Sequence, residues 1–232
     1  MALEAFRAGN KEYKDLPITY AGRLDPMASG VLLLLVGDKV REKEKYLVLA
    51  KEYDFEVLFG FATDTYDILG KVVGSARQDL AEKALRRLVL DNIKYFTGNF
   101  VQKYPPYSSK TVKGKPLFEY ARGGKEVERP TREVSVKSLK LIKIKKIKSQ
   151  QLFKNIEKRI QKVPGDFRQK EILKIWQKKL KNKVDVFSVA SFKIKCGSGV
   201  YVRGIANSLG EKMSIPALAF SIKRTRVGRY VL

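Results

Sequence analysis

Tyr20-Ala21-Gly22-Arg23-Leu24-Asp25-Pro26-Met27-Ala28-Ser29-Gly30 runs straight into Val31-Leu32-Leu33-Leu34-Leu35-Val36-Gly37. A single acid stands between an arginine and a proline at the mouth of an apolar run. That run is β-branched at both ends and bracketed by glycines, which predicts a buried strand, although periodicity does not separate it from a segment of helix. Asp25 then lies on a shaped turn fixed to a central element, where functional side chains concentrate. Asp25-Pro26 also fits a helix N-cap with proline in the first helical position. On the local pattern alone both readings are open.

Working outward, the charge comes first. There are 48 Lys and Arg against 24 Asp and Glu, a net charge of +24. So large a surplus points to a polyanionic partner, nucleic acid before membrane; a lysine-rich solvated surface is the plainer alternative. With 232 residues, 44% of them hydrophobic, the chain can bury a sizeable core and is not a disordered one. Histidine is absent and Cys196 is the single cysteine. Serine–histidine and cysteine–histidine catalysis are thereby excluded, with any intrachain disulfide and nearly any zinc site. One cysteine fits a reducing cytoplasm, and Cys196, alternating with Lys193 and Lys195, reads as a small core residue. No run approaches about 18 apolar residues and no charged-then-apolar leader opens the chain, so neither a membrane span nor a signal peptide is expected. An enzyme built from this inventory without a cofactor draws on carboxylate, lysine, arginine or tyrosine, which brings Asp25 forward.

Along the chain, the pattern predicts a short helix over 2–14, the strand at 31–36 and helical spacing over 38–50. A strand over 52–59 follows, with Tyr53, Phe55, Val57 and Phe59 on one face. Residues 61–67 read as a polar loop and 71–73 as a brief strand. Asp79 caps an amphipathic helix, and 96–101 is another strand. Residues 108–124 are basic and turn-rich around a short helix at 117–122. Residues 132–147 alternate as a long strand with one wet, cationic face and a register slip near Ser138. Between Lys143 and Lys183 stand 15 basic and three acidic residues, half of the surplus charge. There Leu152, Ile156 and Ile160, then Ile172, Trp176 and Leu180, recur at four-residue steps on either side of Val163-Pro164-Gly165-Asp166. This predicts a helical hairpin over 148–182 whose apolar stripes pack on each other, replaceable by a short link between its flanking strands. A strand from Val184 to Ile194, a helix over 200–213 and a strand over 217–227 complete a single α+β domain (1–232) with a long, mostly antiparallel sheet.

Three further stretches stand beside Asp25. Tyr53 is either a core aromatic or a face on which a base stacks. Gly197-Ser198-Gly199-Val200-Tyr201-Val202-Arg203-Gly204 joins a strand to a helix. It serves either as a generic phosphate-binding helix start or to pair Arg203 with an otherwise isolated carboxylate, favouring its ionised form and fixing its orientation. Lys110 to Arg122 is solvated charge, or a basic and aromatic segment suited to an RNA backbone.

With these residues in view, Tyr20 to Leu32 resembles the catalytic motif of the TruB family of tRNA pseudouridine synthases, Gly-x-Leu-Asp-Pro. Lys51-Glu52-Tyr53, Thr63-Asp64-Thr65, Pro105-Pro106-Tyr107-Ser108-Ser109-Lys110, Gly114-Lys115, Glu119-Tyr120-Ala121-Arg122 and Gly199-Val200-Tyr201-Val202-Arg203 resemble its further motifs in the expected order. Together they cover about four-fifths of the chain, far more specific than any one motif. The sequence also departs from the family. Tyr20 replaces a histidine, an early Lys-Pro-x-Gly strand is missing, and residues 148–182 have no counterpart in shorter bacterial members. No appendage of the PUA type is expected.

The resemblance implies the pseudouridine synthase fold, a mixed, mostly antiparallel sheet flanked by helices, and isomerisation of a flipped T-loop uridine of tRNA. It makes Asp25 the nucleophile, attacking C1′ or C6, and Arg203 its partner, with Tyr53 as the third catalytic residue. Tyr20, Tyr201, Ile222, Arg23, Lys110 and Arg122 become substrate-binding residues, Ile222 closing the uracil pocket. No metal or cofactor is implied, and the expected protein is a cytoplasmic monomer whose partner is the T-stem-loop of tRNA. Two other classes fit the charge: a non-catalytic RNA-binding or ribosome-associated module, and a subunit of a guide-RNA-dependent synthase.

Overall fold

The computed structural model describes residues 2–76, 80–181 and 185–232. In chain order the helices are α1 (Ala2–Gly9), α2 (Lys43–Leu47), α3 (Glu82–Ile93), α4 (Leu117–Arg122), α5 (Ser149–Ile160), α6 (Gln169–Leu180) and α7 (Val202–Met213). Strands β1 (Ile18–Tyr20), β2 (Ala28–Gly30) and β3 (Leu34–Val36) lie before α2, and β4 (Lys51–Phe59), β5 (Phe61–Thr63) and β6 (Val72–Ser75) after it. Then come β7 (Gly98–Lys103), β8 (Thr111–Val112), β9 (Lys115–Pro116), β10 (Thr131–Lys148), β11 (Val186–Cys196), β12 (Ala217–Val227) and β13 (Tyr230–Val231).

Seven strands form the main sheet in the order β13-β12-β4-β11-β10-β7, with β2 added to β12. Every pairing is antiparallel except β2 with β12, where Ala28 lies beside Ile222. The alternation of β4 is the reason the sheet has two buried faces. Phe55, Val57 and Phe59 join Phe192, Ile194, Ile205 and Leu209 beneath α3 and α7. Leu58 points the other way, to Phe61, Ile68, Val189, Leu218 and Phe220. Where the second face is uncovered it carries ion pairs, Lys193 with Asp54 and both Lys195 and Arg226 with Glu52. The register slip expected in the long strand lies between Val136 and Ser138, and a second falls between Leu141 and Lys143.

The structure corrects three expectations. The run 31–36 is not a buried central strand. Only Leu34–Val36 is extended, in a two-stranded ribbon with β1, and among these six residues only Leu35 is buried. Gly30, at φ +104°, turns the chain away and Val31 donates its N–H to the Arg224 carbonyl, so the run leaves the sheet instead of entering it. The polar stretch 61–67 is not loop throughout: it opens as β5, and Thr63, Thr65 and Asp67 are buried because their polar groups bond one another. The expected cap Asp79 and the strand start at Val184 lie outside the described residues, and α3 begins at Glu82.

The third correction concerns the hairpin. Its two stripes do not merely close on each other. Leu152, Ile156, Ile160, Ile172, Trp176 and Leu180 all belong to the second core, against Ile147, Phe187 and Leu218 of the sheet. Trp176 donates its indole N–H to the Ile68 carbonyl at 3.1 Å and packs edge-on to Phe61. Arg159 reaches the Phe220 carbonyl at 3.0 Å. The sheet's second face would be open apolar surface without α5 and α6, so a short link cannot replace them.

Trp176→Ala is therefore expected to cost about 3–5 kcal/mol, as truncation of a buried large aromatic does, and to leave the Ile68 carbonyl unpaired. Lys174→Ala on the exposed side of the same helix stays within about 0.5 kcal/mol of the parent. Urea unfolding compares them; equal midpoints for the two variants would make the hairpin an appendage.

Candidate active site

Asp25 sits on a β-turn, not at a helix start. The Ala28 N–H returns to the Asp25 carbonyl at 2.8 Å, with Pro26 at the second turn position, where its fixed φ suits the bend. The N-cap reading falls with this bond. Both ends of the surrounding loop are held from below by Arg224, whose side chain is buried. Its Nε donates to the Val31 carbonyl at 2.7 Å and its Nη2 to the Gly22 carbonyl at 3.0 Å. The backbone approaches so closely at Gly30 that a Cβ there would overlap the Arg224 carbonyl, and the positive φ also favours glycine.

Opposite the turn, Arg203 lies in the first turn of α7. Gln102 of β7 fixes this helix start by a reciprocal pair of bonds, accepting the Tyr201 N–H at 2.8 Å and donating to the Tyr201 carbonyl at 3.0 Å. Gly204 leaves room for that amide, which a Cβ would displace. Arg203 Nε then donates to Asp25 Oδ2 at 3.0 Å. The arginine side chain is 4% exposed and the carboxylate 27%, so the cation is sealed in and the acid keeps an open side. Its remaining nitrogens donate to the Thr65 and Tyr107 carbonyls, each at 2.8 Å. Burial alone disfavours the guanidinium charge, but Asp25 and Asp67 outweigh it and hold its pKa above the usual value.

The 61–67 stretch is the floor of the site. Asp67 accepts the Thr65 hydroxyl at 2.7 Å and the Leu69 N–H at 2.9 Å. Burial nonetheless pushes its carboxyl up to about 6, against the pull of Arg203 and with a further push from Asp25. Asp64 accepts the Tyr107 hydroxyl at 3.1 Å and Arg168 Nη1 at 2.9 Å. Arg168 also lies over the Tyr107 ring, 4.8 Å from its centre. It belongs to the turn between α5 and α6, so the hairpin is tied to the same floor that holds Arg203.

Of the residues singled out in the sequence, Asp25, Arg203, Tyr201 and Tyr53 come together. The Arg203 guanidinium lies 5.6 Å from the centre of the Tyr201 ring. Tyr53 is half-buried on β4, its hydroxyl pushed up to about 12 mainly by burial, with Asp25 adding and Arg224 opposing, so it is a neutral phenol at pH 7. Ile222 is buried beside Ala28, three residues after Asp25. Tyr20 and Arg23 form their own contact, 5.9 Å from guanidinium to ring centre, at the rim of the loop. Lys110 and Arg122 stand further out: Lys110 over Tyr104, which meets Tyr201 edge-on, and Arg122 over Phe118. Sequence reasoning missed Arg224, Gln102, Asp67 and Arg168. Only Asp67 had a signal, as an acid just past the Thr-Asp-Thr motif.

This fold is shared with solved structures. A chain of the crystal structure of a Cbf5-Nop10-Gar1 complex superposes over 99% of this chain and 46% of its own, with a TM-score of 0.55 at 17% identity. The TruB family pseudouridylate synthase (N-terminal domain) model matches residues 11–153, and the chain belongs to that family. It is 31% identical to the tRNA pseudouridine synthase B of Chlamydia muridarum over 214 residues, 92% of this chain and 70% of that protein. It is likewise 31% identical to the tRNA pseudouridine synthase B of Lactobacillus delbrueckii subsp. bulgaricus over 224 residues, 94% of this chain and 61% of that one. The chain spans about three-fifths of the length of several curated relatives it matches.

Asp67 supplies a pH signature of the buried floor. Its folded pKa, about 6, lies above the ordinary 3.8. Its favourable contribution to stability is therefore complete below about pH 4 and is lost as pH rises through 6. At about 1.4 kcal/mol per unit, the swing is about 3 kcal/mol. Asp67→Asn cannot titrate, so the variant should gain on the parent by about that amount between pH 4 and 7, read by urea unfolding across the range. A difference that stays flat with pH would contradict the raised pKa.

Proposed function

We propose that this protein isomerises a T-loop uridine of tRNA to pseudouridine, with Asp25 as the nucleophile. The observation that carries the reading is the Asp25–Arg203 pair, a half-open carboxylate held at 3.0 Å by a buried arginine, in a chain of the TruB family. The relatives named tRNA pseudouridine synthase B support the choice of RNA. A purely RNA-binding module has no use for a carboxylate held in this way beside phosphates, and the sequence likeness to the tRNA enzymes exceeds that to the Cbf5 chain.

In this reading the target base is flipped out of the loop, since its C5 is not reachable in the stack. Asp25 attacks at C1′ or at C6, the glycosidic bond breaks and the uracil turns; C5 then bonds to C1′ of the ribose, the bond to Asp25 is released, and the C5 proton is lost as N1 takes one up. Arg203 aims the attacking carboxylate through its charge-assisted bond. Tyr53, a neutral phenol, borders the base near the carbon that loses its proton; Tyr201 and Ile222 line the base, and Tyr20 offers a stacking face. Arg23, Lys110 and Arg122 meet the RNA backbone. The chemistry calls for no metal or cofactor. We read residues 1–232 as one catalytic domain with the 148–182 hairpin inserted, acting as a monomer in the cytoplasm on the T-stem-loop.

Tritium release from C5-labelled uridine in a tRNA transcript tests the reading. The parent protein should release label, and Asp25→Asn should lower the rate by a factor on the order of 10⁴ or more, as loss of a nucleophile does. The variant should still bind tRNA and melt near the parent, because the change is nearly isosteric on a turn. Substantial residual turnover, or a variant that does not fold, removes Asp25 from this role.

A further inference from the structure

We infer that the outer face of the α5–α6 hairpin is a phosphate-binding surface for the RNA backbone, fixed in position relative to Asp25. The inference rests on RNA being the substrate. Its geometry comes from the helices themselves. The six stripe residues at 152, 156, 160, 172, 176 and 180 are fully buried. Lys154 and Lys158, and Lys170, Lys174 and Lys178, each lie two positions from a stripe residue, about 200° around a helix of 3.6 residues per turn, and Lys162 follows in the turn just after α5. All six are exposed. Because both stripes face the same sheet, both lysine rows face away from it. Within a row, successive lysines are about 6 Å apart along the axis.

These charges are not neutralised locally. Among the described residues none of the six lysines is in an ion pair. The hairpin's acids are engaged or set aside: Glu171 pairs with Lys71 at 2.7 Å, Asp166 accepts the Arg168 N–H at 3.1 Å, and Glu157 is half-buried on the flank of α5. Two rows of unmatched cations on a rigid support are what a polyanion needs, and a chain of phosphates fits their repeat better than a single anion would.

The surface is also placed. At its turn the hairpin is anchored by Arg168 to Asp64, beside Thr65, whose carbonyl holds Arg203. Arg122 of the basic 108–124 segment donates to the Asp166 carbonyl at 3.4 Å, making the two basic regions continuous. Lys162 and Lys170 therefore lie at the end nearest the reacting carboxylate. Lys154 and Lys178 lie toward the far end of helices about 18 Å long, 12 residues each. An RNA engaged at Asp25 would meet the near lysines first.

The test replaces all six lysines by Gln, and in a second variant by Arg, in the full chain, and measures tRNA affinity from 0.05 to 0.4 M salt. The Gln variant should melt as the parent does, since the stripes are untouched. Each lost phosphate contact should flatten the slope of log affinity against log salt by roughly 0.7–0.9. Loss of three contacts weakens binding on the order of 100-fold at 0.15 M salt by the same relation. The Arg variant should keep both affinity and slope. Unchanged affinity and slope in the Gln variant overturn the inference, as does a loss of affinity with the slope intact, or an equal loss in the Arg variant. Should the parent release no tritium from tRNA, the proposed reaction fails separately, while the salt slopes still report on this surface.

Discussion

A guanidinium with 4% of its side chain exposed has to find acceptors inside the protein, because a buried charge without partners costs several kcal/mol. Arg203 finds them on three stretches distant in sequence: the Asp25 turn, the 61–67 floor and the segment that carries Tyr107. Satisfying one cation therefore gathers three separate pieces of chain around one point. Two of the acceptors are neutral carbonyls, which fix the plane of the fork without competing for its charge. Asp25, on the remaining side, receives a charge-assisted bond and keeps an edge for a substrate. Asp67 is the second acid within reach of that charge, and its burial keeps it from competing strongly at mildly acidic pH.

The sheet supplies this arrangement with a rigid base from both faces. From the first face, α7 delivers Arg203, its start held by Gln102 on β7. From the far edge, β12 delivers Arg224 to the underside of the Asp25 loop and lends its backbone to β2. From the second face, α5 and α6 press on Leu58, Phe61 and Ile68, and so support the floor stretch that follows β5. The hairpin thus belongs to the core through one side and to the solvent through the other.

What could be read from the sequence divides along physical lines. β4 and β10 were legible because about one residue in two is apolar, and the hairpin because one in four is. The helix expected over 200–213 was legible to within two residues, whereas the pairing of Arg203 with Asp25 was one of two open readings until the family resemblance chose it. The run 31–36 was misjudged because six apolar residues look the same in a central strand and in a bent ribbon. The floor was misjudged because Thr63, Thr65 and Asp67 are polar, and only the fold reveals that they bond one another. Arg224 carried no signal at all: nothing distinguishes it from Lys223 and Arg226 until the loop it clamps is in place.

The parallel pairing of β2 with β12 has a consequence for the order in which the molecule can assemble. Ala28–Gly30 and Ile222–Arg224 are nearly two hundred residues apart, and the Asp25 turn takes its shape only when they meet. Contacts of such long separation close slowly, whereas the α5–α6 hairpin and its neighbours β10 and β11 are local in sequence. During synthesis Asp25 emerges about two hundred residues before the Arg224 that clamps its loop. The lysine-bearing hairpin is complete some forty residues sooner. A nascent chain would thus carry its basic face before the Asp25 turn is clamped.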